Sequence, residues 1–146
     1  MEDLANKTLY KIMWANKEEI IWNMRDEKSV PLDNILYKYL EKFIDYRIWQ
    51  KEFHKEYLKW LAGENENIYD VNFSLNSQII DILPKLNEKL NSQNIYVFYW
   101  FDIDRSVDEN FNWEFCPMTN ELLTNLNIKN NNSLICKKCY LTFPKQ

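Results

Sequence analysis

The chain reads as an α+β protein: a helical first two-thirds, residues 1–92, packed on a small C-terminal antiparallel β-sheet within residues 95–143. Three observations predict this. Apolar residues recur at helical spacing through most of the first 92 positions. The pattern then changes at Ile95 to a continuous β-branched and aromatic run, Ile95-Tyr96-Val97-Phe98-Tyr99-Trp100-Phe101. The only glycine, Gly63, falls just past the last periodic residue of the strongest helical stretch, where a left-handed helix end favours it. With 146 residues, one domain with one core is expected.

Residues 4–24 carry Leu9, Ile12, Met13, Ile20 and Met24 near the helical period, which predicts a first helix. Residues 31–62 carry the longest stripe: Leu32, Leu36, Tyr39, Phe43, Tyr46, Phe53, Tyr57 and Trp60. Ser29 suits its N-cap and Pro31 its first turn. One helix of that extent would run about 45 Å, which favours a break near Asp45–Arg47. After a polar connector at 64–73, a third helix is expected from Ser74 to Asn91. Its inward residues are Leu75, Ile79, Ile82, Leu83, Leu86 and Leu90, and Pro84 should kink or divide it.

Ile95–Phe101 then reads as a buried strand, with a turn at 104–110. The alternating Phe111-Asn112-Trp113-Glu114-Phe115 is expected to pair back on it as a hairpin. The tail predicts a short helix or loop near Glu121–Leu126 and strands near Leu134–Ile135 and Tyr140–Phe143. With one glycine in the chain, turns must draw on Asn and Asp, which tolerate positive φ. The same scarcity argues against a phosphate-cradling loop.

Bulk chemistry narrows the function classes. The net charge of −4 gives little counterion-release affinity for nucleic acid and suits a basic protein partner. Six Trp, nine Tyr and eight Phe exceed what so small a core needs, so some should serve a protein interface. The opening Met1-Glu2-Asp3-Leu4 has neither the basic nor the apolar region of a secretory leader. The Ile95–Phe101 run is far too short to span a membrane. The odd count of three cysteines favours a reducing, cytoplasmic setting.

The sharpest motif is in the tail, where Cys116-Pro117 is followed by Cys136-Lys137-Lys138-Cys139. A zinc ribbon presents two Cys-x-x-Cys turns on facing hairpins, four thiolates at tetrahedral corners. Residues 115–143 resemble such a ribbon, similar in outline to those of transcription-elongation factors and RNA polymerase subunits. Thr119 stands where the second cysteine would be, and neither turn carries the usual glycine. The resemblance implies a ribbon-like hairpin and a zinc site at Cys116, Cys136 and Cys139, with a carboxylate or His54 as fourth ligand. The cysteines alternatively pack as small apolar residues in a ribbon without metal, so no cofactor is required and zinc is the candidate. A redox-active Cys136/Cys139 pair would want a helix N-terminus, and strands are expected there.

Asp102, Asp104 and Glu114 on a hairpin end resemble the paired carboxylates of a metal nuclease, but the nearby bases are limited to Arg105 and the chain is acidic. They serve equally as charges that block edge pairing. His54, flanked by charge, reads as a solvated helix residue. Trp22, Trp49 and Trp100 fall outside the helical stripes and are the better candidates for an exposed anchor.

These features favour a non-enzymatic intracellular binding protein or inhibitor, of the kind an immunity protein represents. Asp102, Asp104, Asp108, Glu109 and Glu114 would steer a basic protein partner, with Trp100 and Trp113 as contact residues. The alternative is a zinc-ribbon module of transcription or nucleic-acid machinery. An enzyme is the least favoured reading.

Overall fold

The computed structural model describes residues 4–64, 68, 70–101, 114–128 and 131–144. A seven-stranded mixed sheet organises them, in the order β3-β2-β1-β4-β7-β6-β5. The strands are β1 (Thr8–Ile12), β2 (Ile21–Asn23), β3 (Lys28–Ser29), β4 (Ile95–Trp100), β5 (Thr124–Ile128), β6 (Asn131–Cys136) and β7 (Leu141–Pro144). Three helices, α1 (Ile35–Glu41), α2 (Tyr46–Leu61) and α3 (Ser74–Leu90), lie between β3 and β4 in the chain.

This overturns the expected small, C-terminal, antiparallel sheet. The centre is parallel: β4 pairs with β1 on one side and β7 on the other. The first helix does not form, and residues 4–24 instead contribute β1 and β2, paired through Tyr10↔Asn23 and Ile12↔Ile21. The first 92 residues are therefore not a helical unit. The apparent helical period was the sum of two strands. In β1, Leu9 and Lys11 face one side of the sheet while Tyr10 and Ile12 face the other. The turn that returns β2 to β3 is built by Asn23, whose Oδ1 accepts the Arg25 and Asp26 N–H groups, and by Glu27 at φ 52°.

The long helical stripe breaks where length argued it should. Asn34, rather than Ser29, caps α1 by accepting the Leu36 N–H; Ser29 lies in β3. Asp45 caps α2 by accepting the Ile48 N–H. Gly63 follows α2 at φ 76°, as expected. α3 continues through the exposed Pro84 as one helix.

The helices cover one face of the sheet. Leu36, Leu40, Trp49, Ile79, Leu83 and Leu86 pack with Ile12, Val97, Tyr99, Leu141 and Phe143. Trp49 is nearly inaccessible and its indole N–H donates to Leu75 O, so it is a core residue and not the exposed anchor expected of it. A smaller cluster on the opposite face holds Leu4, Leu9, Met24, Phe98, Leu126 and Ile135. Trp14, expected to widen the apolar face of the first helix, packs on Phe53, His54 and Tyr57 from the segment between β1 and β2. His54 is thereby half-buried against an indole, and not a solvated helix residue as expected.

Tyr37 ties α1 to the sheet edge. Its hydroxyl donates to Val30 O at 2.9 Å and accepts the Ile21 N–H at 3.2 Å. Burial pushes its pKa up to about 12 from 10.0, against the lowering effect of the Ile21 N–H. A group raised in the folded state contributes stability that is complete below the unfolded pKa and is lost as pH rises through the folded one. The urea midpoint should therefore fall between about pH 10 and 12. Tyr37→Phe should flatten that fall while costing about 1–3 kcal/mol at pH 7, because two buried backbone groups lose their partner. Urea titrations at pH 7, 9 and 11 check both effects, and an unchanged alkaline slope in the variant would count against Tyr37 as a source.

Candidate metal centre

β4 has β1 and β7 as its neighbours in the sheet. Phe111, Asn112 and Trp113 lie outside the described residues. Phe115, expected to pair back on β4, bridges Leu122 in antiparallel fashion. The segment 121–126, expected as helix or loop, leads into β5. The predicted strands near 134–135 and 140–143 are present as β6 and β7, paired through Cys136↔Leu141.

These pairings create two tight turns that face each other. The first runs from Cys116 to Glu121. Cys116 N–H donates to Glu121 O and Asn120 N–H donates to Cys116 O, both at 2.8 Å. The Met118 N–H points at Cys116 Sγ at 3.4 Å. The second turn, 137–140, joins β6 to β7. In each, the residue four positions after the leading cysteine, Cys116 or Cys136, lies in the left-handed region: Asn120 at φ 59° and Tyr140 at φ 61°. Neither position is a glycine. Asn adopts this region readily; Tyr140 takes it against a steric cost of about 1–3 kcal/mol. Its ring packs on Tyr96 and Phe98, which holds it there.

The result is one cluster of three sulfurs. Ligand atoms of Cys116, Cys136 and Cys139 all lie within 4.8 Å of one another, and Cys116 Sγ is 3.4 Å from Cys139 Sγ. Tetrahedral zinc with Zn–S bonds of about 2.3 Å requires sulfurs about 3.8 Å apart, so the spacing fits a shared ion. All three are free thiols, Cys116 and Cys136 buried and Cys139 half-buried. Cys136 ends a strand and Cys139 lies in a turn, not at the helix N-terminus a redox dithiol would use.

The thiols polarise one another. Cys136 is held far below the ordinary thiol range, first by the hydrogen bond from Cys116 and then by that from Cys139, with Thr119 and the Cys139 N–H adding to them against burial. Cys139 is pushed up by its hydrogen bonds to Cys116 and Cys136 and by burial. A bound cation would draw protons from the thiols, since a thiolate is the form that ligates metal.

Thr119 occupies the fourth side. Its Oγ1 lies 3.5 Å from Cys136 Sγ and accepts the Glu121 N–H at 3.2 Å. Glu121 pairs with Lys138 across the two turns. His54, in α2 against Trp14, is not in the sulfur cluster and does not supply the missing ligand.

The residues expected to engage a partner are only partly placed. Asp102, Asp104, Asp108, Glu109 and Trp113 lie outside the described residues. Glu114 is exposed at the start of the ribbon segment. Trp100 is half-buried on the sheet face opposite the helices, with Lys11 Nζ 4.4 Å from its ring centroid. Lys11 is itself buried and reaches Glu27 at 3.3 Å. Sequence reasoning missed this Lys11–Glu27–Trp100 group because its members come from three separate segments. Among the described residues, no helix is long and apolar enough to cross a membrane. No protein-family model, curated protein or solved structure matches the chain.

Proposed function

We propose that this chain is a non-enzymatic binding protein whose ribbon end is clamped by zinc. The observation that carries the reading is the convergence of Cys116, Cys136 and Cys139 on two facing turns at metal-ligand spacing. Zinc would be held by the three thiolates, and the charge it supplies there would lock the 116–121 and 137–140 turns together. The two turns have low intrinsic stability. They are short, one carries a positive-φ tyrosine, and their salt bridge Lys138–Glu121 is exposed and worth little by itself.

The partner we favour is a basic protein, as for an intracellular inhibitor of the immunity type. Net charge of −4 supports it, while the exposed Ile48, Leu58 and Leu61 on α2 support a protein partner without specifying its charge. A nucleic-acid-binding ribbon is the competing form. The two separate in a titration of labelled protein with mixed-sequence single- and double-stranded nucleic acid at about 0.15 M salt, where the Debye length is about 8 Å. No saturable binding is expected, and micromolar binding that weakens steeply with salt would transfer the assignment to the nucleic-acid form. Metal analysis of protein purified without chelators is expected to give one zinc per chain, and its absence would remove the clamp.

A further inference from the structure

The cluster is a three-thiolate set with a fourth corner that no cysteine, histidine or carboxylate among the described residues closes. We propose that the metal's fourth position is exchangeable, filled by water and open to a neutral nitrogen donor of the imidazole class. This rests on the zinc reading above.

Three observations carry it. Thr119 sits at the fourth corner by both sequence and geometry: three residues after Cys116, with Oγ1 3.5 Å from Cys136 Sγ. Proteins hold zinc with Cys, His and carboxylate groups, and a threonine hydroxyl is not among them. That hydroxyl is also engaged, accepting the Glu121 N–H. Next, among the described residues the cluster contains three cysteines and no carboxylate or histidine. Glu121, in the same turn as Thr119, turns its carboxylate to Lys138. Last, the corner is reachable. Thr119 and Cys139 are half-buried, and Met118 and Lys138 beside them are exposed.

A structural zinc site is closed by four protein ligands, whereas three protein ligands leave a position for water or an incoming group. Three thiolates on Zn²⁺ leave one net negative charge, which disfavours an anion and favours a neutral donor. A borderline-soft ion then selects nitrogen over oxygen, which is imidazole chemistry.

Cobalt substitution tests the proposal on the full chain. Co²⁺ replaces zinc, and its thiolate charge-transfer and d–d absorption bands report the ligands. In the wild-type protein, imidazole is expected to shift the d–d bands saturably while the thiolate bands remain. Thr119→Cys should give a four-thiolate spectrum indifferent to imidazole, and should bind zinc at least about tenfold more tightly, the scale on which even outer partners alter metal affinity. Thr119→Val, which keeps the shape and removes the hydroxyl, should bind cobalt and respond to imidazole as the wild type does. Thiolate bands that appear in the wild type with d–d bands indifferent to imidazole would overturn the open corner alone. Loss of cobalt in Thr119→Val would overturn it too, by making the hydroxyl a ligand. Absence of thiolate bands in the wild type would overturn the zinc reading and this proposal with it.

Discussion

Replacing Cys136 with serine is expected to abolish metal binding and to lower the thermal midpoint by about 8–16 °C at saturating zinc. Cys136 is the centre of the cluster: buried, at the end of β6, bonded to both other thiols and beside Thr119. A metal that binds only the folded chain stabilises it by about 4 kcal/mol when its free concentration is a thousandfold above Kd. For a chain of this size each kcal/mol moves the midpoint by roughly 2–4 °C. Thermal unfolding followed by circular dichroism, with and without a chelator, separates metal loss from packing loss. The chelated wild type should unfold close to Cys136→Ser, and a wild type indifferent to chelation would show that the cysteines act only as small apolar residues. Cys116→Ser should behave alike, since Cys116 is equally buried and 3.4 Å from Cys139 Sγ.

Replacing Asn87 with leucine is expected to destabilise the fold by about 2–6 kcal/mol despite the gain in apolar volume. Asn87 lies on the buried face of α3. Its Nδ2 donates to Val97 O and to Leu83 O, and its Oδ1 accepts the Val97 N–H, at 2.8–2.9 Å. The reason lies in the sheet. β7 pairs with β4 only at Tyr99 and Trp100, so among the described residues the β7-facing side of Val97 has no strand beside it. The Asn87 carboxamide stands in for that strand. Removing it orphans a buried N–H and a buried C=O, each costing about 1–3 kcal/mol. Urea unfolding of Asn87→Leu against the wild type reads the effect, and Glu88→Ala, exposed on the same helix, should stay within about 0.5 kcal/mol. A loss under 1 kcal/mol for Asn87→Leu would mean that water or a shifted β7 satisfies Val97.

Parts of the chain were legible for local reasons. Gly63 after α2, the break at Asp45 and the inward row Leu75, Ile79, Leu83, Leu86 and Leu90 depend on neighbours within a turn or two. The strand at 95–100 was legible because a β-branched and aromatic run tolerates little else. The first 30 residues were not, because Leu9, Ile12, Ile20 and Met24 fit a helical period only when the bend at 16–18 is ignored. Thr8–Ile12 and Ile21–Asn23 are two short strands without a clean apolar alternation, and Asn23 builds the turn that follows. The metal corner was half-legible. Cysteine spacing located the three cysteines that converge and named Thr119 as the gap, but neither Asn120 nor Tyr140 advertised a left-handed turn in the way a glycine would.

What the sequence determined by itself was a set of local elements: the helices between Asn34 and Leu90, the strands β4, β6 and β7, and the two cysteine turns. Each rests on contacts a few residues apart. What only the tertiary structure decided was partnership. Which strands lie beside β4, why Asn87 and Lys11 are buried, and whether Cys116 meets Cys136 and Cys139 all depend on contacts between distant segments. No local pattern encodes these, because a strand's edge and a ligand's partner are supplied by whatever chain packs against them.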